Sequence, residues 1–326
     1  MTRPPAIRSV GTEELPLTRV STDDLTLTFA ASRGGRLISL TVGETELLWH
    51  NPALLDDALR PIVPVGQWPD GSAGMSSWAN VGGSKTWPAP QGWSGSGEWA
   101  GPPDQVLDSG PWQEEVAIGA DSVTVRLTSR DDRRSGIRAV RRFDIPATGT
   151  AFEQTTTFLN ISDVPVRWSI WEVCQVDTSG GAGRPVQEAA VAVPVTARSR
   201  MIDLGTWVGE IDAIEQNSTI RLPIGNAVGK RGFTDVPGAV EYQGPDGESL
   251  VLSHEPTCGA IYPDGGAQVE VWLQSPTSEP IAALENLHPS AHLVELEVLG
   301  PLVSLAPGES TSVRTRWSAR ARRSSS

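Results

Sequence analysis

Cysteine, histidine and helical periodicity are the scarce features of this sequence. Only Cys174 and Cys258 occur in 326 residues, with no CxxC spacing. Neither a disulfide framework nor a thiolate zinc site then has the ligands it needs. Histidine is limited to His50, His254, His288 and His292. The last pair is spaced for one helix turn, but Pro289 and Ser290 lie between them and a strand pattern follows, so they do not read as a helical zinc pair. No metal and no cofactor is expected. No apolar run approaches the ~18 residues of a membrane span, and residues 1–20 lack the apolar stretch of a signal peptide. A cytoplasmic protein is the expectation.

Motifs that cradle phosphate or expose a nucleophile are missing as well. There is no GxSxG, GxxxxGK[ST] or GxGxxG, so hydrolase-elbow, P-loop and dinucleotide chemistries lack their geometric signature. Positive charge is the minority sign: 26 Lys and Arg face 39 Asp and Glu, for a formal net charge of −13. Such a surface repels phosphate backbones and anionic lipid, which argues against nucleic acid and membrane as partners. The basic tail 319–326 (ARARRSSS) is short and is expected to fray, leaving residues 1–318 as one domain.

Glycine (33) and proline (26) are abundant and spread throughout, cutting the chain into short segments. Period-two or β-branched runs lie between them, at 25–30, 36–42, 123–129, 152–160, 166–176, 250–253, 269–274, 292–299 and 312–319. Alternation of this kind puts one strand face into a core and the other toward solvent or a second layer. A stretch at 51–59 (NPALLDDAL) reads as one short helix or a turn. Many strands separated by turn residues imply a large all-β sandwich, and the lack of a fixed-period repeat excludes a propeller or solenoid.

Six of the twelve tryptophans fall between positions 68 and 112: Trp68, Trp78, Trp87, Trp93, Trp99 and Trp112. The surrounding sequence, WANVGGSKTWPAPQGWSGSGEWAGPP, is too rich in Gly, Pro and Ser for long regular elements. These indoles either staple a long loop to the sandwich or present flat faces to a ligand. Sugar rings suit the second use, because their C–H faces stack on indole while their hydroxyls need polar groups at the rim. Asn80, Lys85, Gln91 and Glu98 are available there.

Four stretches together resemble the galactose-mutarotase-like superfamily, and within it a Trp/Gly-rich family known as a domain of unknown function. They are GGRLISLTVGETELLWHNP (34–52), WANVGGSKTWPAPQGW (78–93), NISDVPVRWSIWEVCQV (160–176) and HLVELEVLGPLVSLAPGES (292–310). The resemblance implies an all-β galactose mutarotase-like supersandwich. It also implies the acid–base chemistry of aldose 1-epimerases, in which a Glu takes the anomeric hydroxyl proton and a His protonates the ring oxygen. Glu297, or Glu295 two residues before it on the same strand face, is the implied base. The epimerase His is absent, since this chain has Trp171 and Glu172 at that strand end, and Val81 precedes Gly82 and Gly83 where epimerases often have another His. Glu172 or His254 is the candidate acid. Trp78, Asn80, Lys85, Trp87, Gln91, Trp93 and Trp171 are the candidate substrate-binding residues.

Three functions are compatible with these features. The first is a sugar-binding protein that interconverts anomers, and the second is a carbohydrate-binding module without catalysis. The third is a lyase or cyclase acting on a non-sugar ring, where Trp walls and acidic groups would also suit a cationic or aromatic ligand.

Overall fold

The alternating runs form strands almost where the sequence places them. The computed structural model describes residues 5–92, 94–95, 97–178 and 188–323. Its strands are β1 (Ala6–Gly11), β2 (Pro16–Ser21), β3 (Leu25–Ala30), β4 (Arg36–Val42), β5 (Thr45–Glu46), β6 (Ser84–Ala89), β7 (Gln113–Ile118), β8 (Ser122–Thr128), β9 (Ile137–Pro146), β10 (Ala151–Asn160) and β11 (Val166–Asp177). There follow β12 (Ala190–Pro194), β13 (Arg200–Val208), β14 (Ile214–Gln216), β15 (Thr219–Pro223), β16 (Val228–Thr234), β17 (Ala239–Gln243), β18 (Ser249–Ser253), β19 (Val269–Gln274), β20 (Leu293–Leu299), β21 (Val303–Leu305) and β22 (Ser310–Arg320). The only helical elements among the described residues are three single 3-10 turns, at Val65–Gln67, Gly74–Ser77 and Ala282–Leu284. None is long or apolar enough to cross a membrane. Residues 51–59 fold as turns, with Leu54 and Leu55 both donating to the Asn51 carbonyl.

Among the described residues all strand-to-strand pairing is antiparallel, in two sheets. One runs β1-β2-β3-β4-β6-β11-β20-β19-β16-β13, with β5 on β4 and β21 on β11. The other runs β14-β15-β12-β17-β18-β22-β10-β9-β8-β7. Apolar residues from both sheets, among them Phe29, Phe143, Phe158, Val176 and Trp317, merge into one buried cluster between them. β22 keeps its alternation to the end, burying Val313, Thr315, Trp317 and Ala319. Ala319 and Arg320 therefore pair with Leu250 and Ser249 instead of fraying. Of the expected tail, residues 324–326 lie outside the described residues.

The apolar layer is crossed by one polar stitch. Arg141, fully buried, donates to the carbonyls of Gly35 and Ser84 (both 2.9 Å) and to Ser84 Oγ (2.6 Å). Its guanidinium lies 3.5 Å from Glu172, whose same oxygen accepts from Thr86 Oγ1 and Gln154 Nε2, each at 2.7 Å. Gln154 in turn accepts from the Trp317 indole at 3.0 Å. Burial lowers the Arg141 pKa to about 10, with Glu172 opposing that shift. Glu172 is thus a counter-ion inside the sandwich. That overturns its candidacy as an acid in the ligand cleft, because even-numbered residues of β11 face the second sheet.

Cutting this link leaves a buried guanidinium without its carboxylate. Glu172→Ala is expected to lower folding stability by about 3–5 kcal/mol, the usual cost of orphaning one member of a buried pair. Urea unfolding measures it, and a loss below about 1 kcal/mol would show that the stitch is dispensable.

Candidate functional site

Strand parity on the first sheet separates two environments. In β11 the odd residues Trp171, Val173 and Gln175 stand on the face away from the second sheet. Their register partners in β20 are Leu299, Glu297 and Glu295. On the other side of β20, Glu297 lies opposite Glu270 of β19 and Glu295 opposite Trp272. Lys230 of β16 is the next neighbour of Trp272, and Trp87 of β6 is the neighbour of Trp171. Antiparallel pairing brings distant residues into contact; Trp171 and Glu297, which share a hydrogen bond, lie 126 residues apart in sequence.

Over this floor sits a cleft of about 280 Å³, near the small end of ligand-site volumes. Five indoles line it: Trp78, Trp87, Trp171, Trp207 and Trp272. Gln91, Lys230, Asp264, Glu295 and Glu297 supply its polar groups, and Met75, Pro102, Leu284 and Leu287 come from the covering loops. Trp87 packs on Trp78, Trp99 and Trp171 with ring centroids 6.0, 5.2 and 5.3 Å apart, so the wall is an interlocked aromatic stack.

One ammonium organises the carboxyl groups. Lys230 Nζ lies 2.5 Å from Glu270 and 2.8 Å from Glu297, and 4.3 Å from the centre of the Trp171 ring. The Trp171 indole donates to the same Glu297 oxygen at 2.6 Å. Glu297 Oε1 is buried and accepts no N–H or hydroxyl hydrogen, and the Glu270 carboxyl hydrogen-bonds to Glu297 beside it. Glu295 is held separately, accepting from Gln175 Nε2 at 2.7 Å and facing Lys85 Nζ at 3.4 Å.

Burial pushes the Glu270 carboxyl well above the usual glutamate range; Lys230 opposes this, and Glu297 and Asp264 reinforce it. Glu297 is raised for the same first reason, with Lys230 opposing and Glu295 adding. Asp264 is raised by burial, against the pull of Lys230 and a hydrogen bond with Glu270. Burial works against the charge on Lys230, but Glu270 and Glu297 overcome it and hold the ammonium above the ordinary lysine value. Lys85 is lowered to about 8, chiefly by burial.

Most of the sequence-derived candidates converge here. Glu295, Glu297, Trp78, Trp87, Gln91 and Trp171 line the cleft. Lys85 lies just behind the wall, fully buried, with its ammonium 4.9 Å from Trp78 and 4.5 Å from Trp87. Asn80 does not join them: its side chain accepts the Gly82 N–H and its carbonyl accepts from Asn51, so it shapes the turn before β6. That turn needs its glycines, because a Cβ on Gly82 or Gly83 would collide with the Trp49 or Leu37 carbonyl. His254 is likewise elsewhere. It follows β18 of the second sheet, does not line the cleft, and is lowered by burial to about 4. It therefore cannot stand in for the epimerase His. Trp93 lies outside the described residues.

The tryptophan-rich segment divides between both uses proposed for it. Trp68 packs in a second core cluster under the Arg33 guanidinium, Trp99 is buried behind Trp87, and Trp112 donates to Val106. Only Trp78 and Trp87 of the segment's described tryptophans reach the cleft, and Trp78 is fixed by a 2.7 Å bond to Asp108. Glu98 accepts from the Ser94 N–H and is not among the residues that line the cleft. Sequence reading missed Lys230, Glu270, Trp272, Trp207 and Asp264. Glu270 and Trp272 alternate with the buried Val269, Val271 and Leu273, a pattern that reads equally as a solvated outer face. Asp264 sits in a PDGG turn, where aspartate is ordinary.

With the geometry in place, comparison with known proteins identifies the architecture. No family model and no curated protein matches the chain. Solved structures do. A Klebsiella pneumoniae protein provisionally assigned as an aldose 1-epimerase superposes with a TM-score of 0.60 at 12% identity, over 98% of this chain and 83% of that one. A galactose mutarotase-like protein from Clostridium acetobutylicum gives 0.58 at 10% identity, over 97% and 99%. A TPR-domain containing protein from Parabacteroides distasonis gives 0.56 at 14% identity; 94% of this chain spans only 47% of its length. The chain has the galactose-mutarotase-like fold. At these identities the likeness speaks for the fold alone, and the chemistry rests on the cleft. Among the described residues no histidine lines it, and no group of three His, Cys, Asp or Glu is arranged to hold a metal.

Lys230 is the test of this electrostatic arrangement. Lys230→Met leaves Glu270 and Glu297 without their cation, so their folded-state pKa values rise further. Carboxyls raised in the folded state cost stability as pH climbs through that range, when the unfolded chain ionises freely and the folded one does not. The deficit of the variant is expected to grow from about pH 5 to about pH 8, reaching roughly 3–5 kcal/mol. A pH-independent deficit in urea unfolding would contradict the arrangement.

Proposed function

We propose that the cleft binds a sugar ring against its indoles and interconverts its anomers by acid–base chemistry. The observation that carries this reading is the position of Glu297: at the cleft floor, one oxygen fixed by Trp171 and Lys230, the other taking no N–H or hydroxyl donor. A carboxylate so placed is oriented and has one acceptor position left for a ligand hydroxyl.

In the proposed reaction Glu297 takes the proton of the anomeric hydroxyl, the bond between the anomeric carbon and ring oxygen breaks, and the ring oxygen receives a proton. Rotation of the resulting aldehyde and reversal of the same steps give the other anomer, so no net proton is consumed. Asp264 is the candidate donor, because it lines the cleft and burial keeps its carboxyl protonated to higher pH than usual. Glu295, on the same face, is the alternative base, with Lys85 and Gln175 holding one of its oxygens. Structural neighbours described as aldose 1-epimerase or galactose mutarotase-like agree with a sugar as the ligand class.

That no histidine of the described residues lines the cleft favours a second reading, a binding module with no catalysis. Exchange spectroscopy on free hexoses separates the two. Faster anomer exchange in the presence of the protein, reduced at least about 100-fold by Glu297→Gln with binding retained, is the result expected of a general base. Asp264→Asn is expected to slow the same exchange and to remove its decline toward high pH, since only the protonated acid can donate. Binding without any acceleration would leave the module.

A further inference from the structure

The indoles of the cleft are not equivalent. Three already carry a cation from the chain itself: Lys85 stacks on Trp78 and Trp87, and Lys230 on Trp171. Trp207 and Trp272 form their own tilted pair, with centroids 5.5 Å apart, and no lysine or arginine of the described residues stacks on either ring. Across one strand from Trp272 stands Glu295, whose side chain keeps 12% exposure at the cleft.

Carboxyl groups crowd the same place. Glu270, Glu295, Glu297 and Asp264 gather around two ammonium groups, Lys85 and Lys230. Glu297 lines the cleft, and its buried Oε1 takes no N–H or hydroxyl donor. A neutral hydroxyl would satisfy that oxygen but leave the two cation-free indole faces beside Glu295 unused. A cation would use them, because an indole face next to a carboxylate is the standard environment for an organic ammonium group.

We propose that the ligand carries a cationic nitrogen, which sits over the Trp207–Trp272 pair beside Glu295, making an amino sugar the preferred class. This deepens the sugar reading and rests on it for the ring, but not for the cation. The pair then supplies the cation–π surface, Glu295 the counter-charge, and Glu297 Oε1 an acceptor for a neighbouring hydroxyl.

Calorimetric titration of the intact chain with hexosamines, their neutral parent hexoses and tetramethylammonium tests both levels. A hexosamine is expected to bind at least about tenfold more tightly than its parent hexose, the size of one favourable cation–π or ion-pair contact. That advantage is expected to vanish in Glu295→Gln and in Trp207→Leu, the latter altering a partly exposed ring. Equal affinity for amine and parent sugar would overturn the cationic ligand and leave the sugar reading standing. Binding of tetramethylammonium alone, lost in Trp207→Leu, would support the cation site and remove the sugar. Silence toward all three probes would overturn both.

Discussion

Everything at the cleft depends on one ammonium group shared by two buried carboxyls. Lys230 joins β16 to β19 through Glu270 and to β20 through Glu297, at 2.5 and 2.8 Å, with the Trp171 ring against its other side. Isolated charges at this depth carry a heavy desolvation cost. The lysine makes two tolerable together, and burial pushes both carboxyls toward their protonated forms. The same contact fixes which oxygen of Glu297 is occupied and which is open. Orientation, proton affinity and vacancy of the candidate base thus have one physical origin.

Strand β11 shows how stability and ligand chemistry are kept apart. Its even residue Glu172 points inward to Arg141 and Gln154 and stitches the sheets together. Its odd residue Trp171 points outward to Glu297 and Lys230. Adjacent residues serve opposite layers because successive side chains of a strand leave opposite faces. Substitutions at 171 and 172 therefore probe different properties despite being neighbours.

Much of this architecture was legible in the sequence. The runs at 25–30, 36–42 and 269–274 coincide with β3, β4 and β19, because half-buried strands advertise themselves through alternation. Parity alone placed Glu295 and Glu297 on one face, and both line the cleft. Trp171 and Glu172 were both cleft candidates, and the structure admits only Trp171, because neighbours on a strand leave opposite faces. What remained hidden was register. Nothing local reveals that Glu270 lies opposite Glu297, or that Lys230 joins them, because these pairings link distant strands. The polar face of β19 reads as solvated until the covering loops are seen. The tryptophan-rich loop was ambiguous for a related reason: an indole that staples a loop and one that lines a cleft have the same sequence surroundings. Trp99 and Trp112 took the first role, Trp78 and Trp87 the second.

The central claim is that Glu270, Glu297 and Lys230 form one protonation unit beneath the indoles. Carbon-detected titration of the glutamate carboxyl groups, assigned with Glu270→Gln and Glu297→Gln, addresses it most directly. Both signals are expected to titrate above the normal glutamate range, and removing either carboxyl is expected to shift the other. Two independent titrations at the ordinary glutamate value would contradict the account.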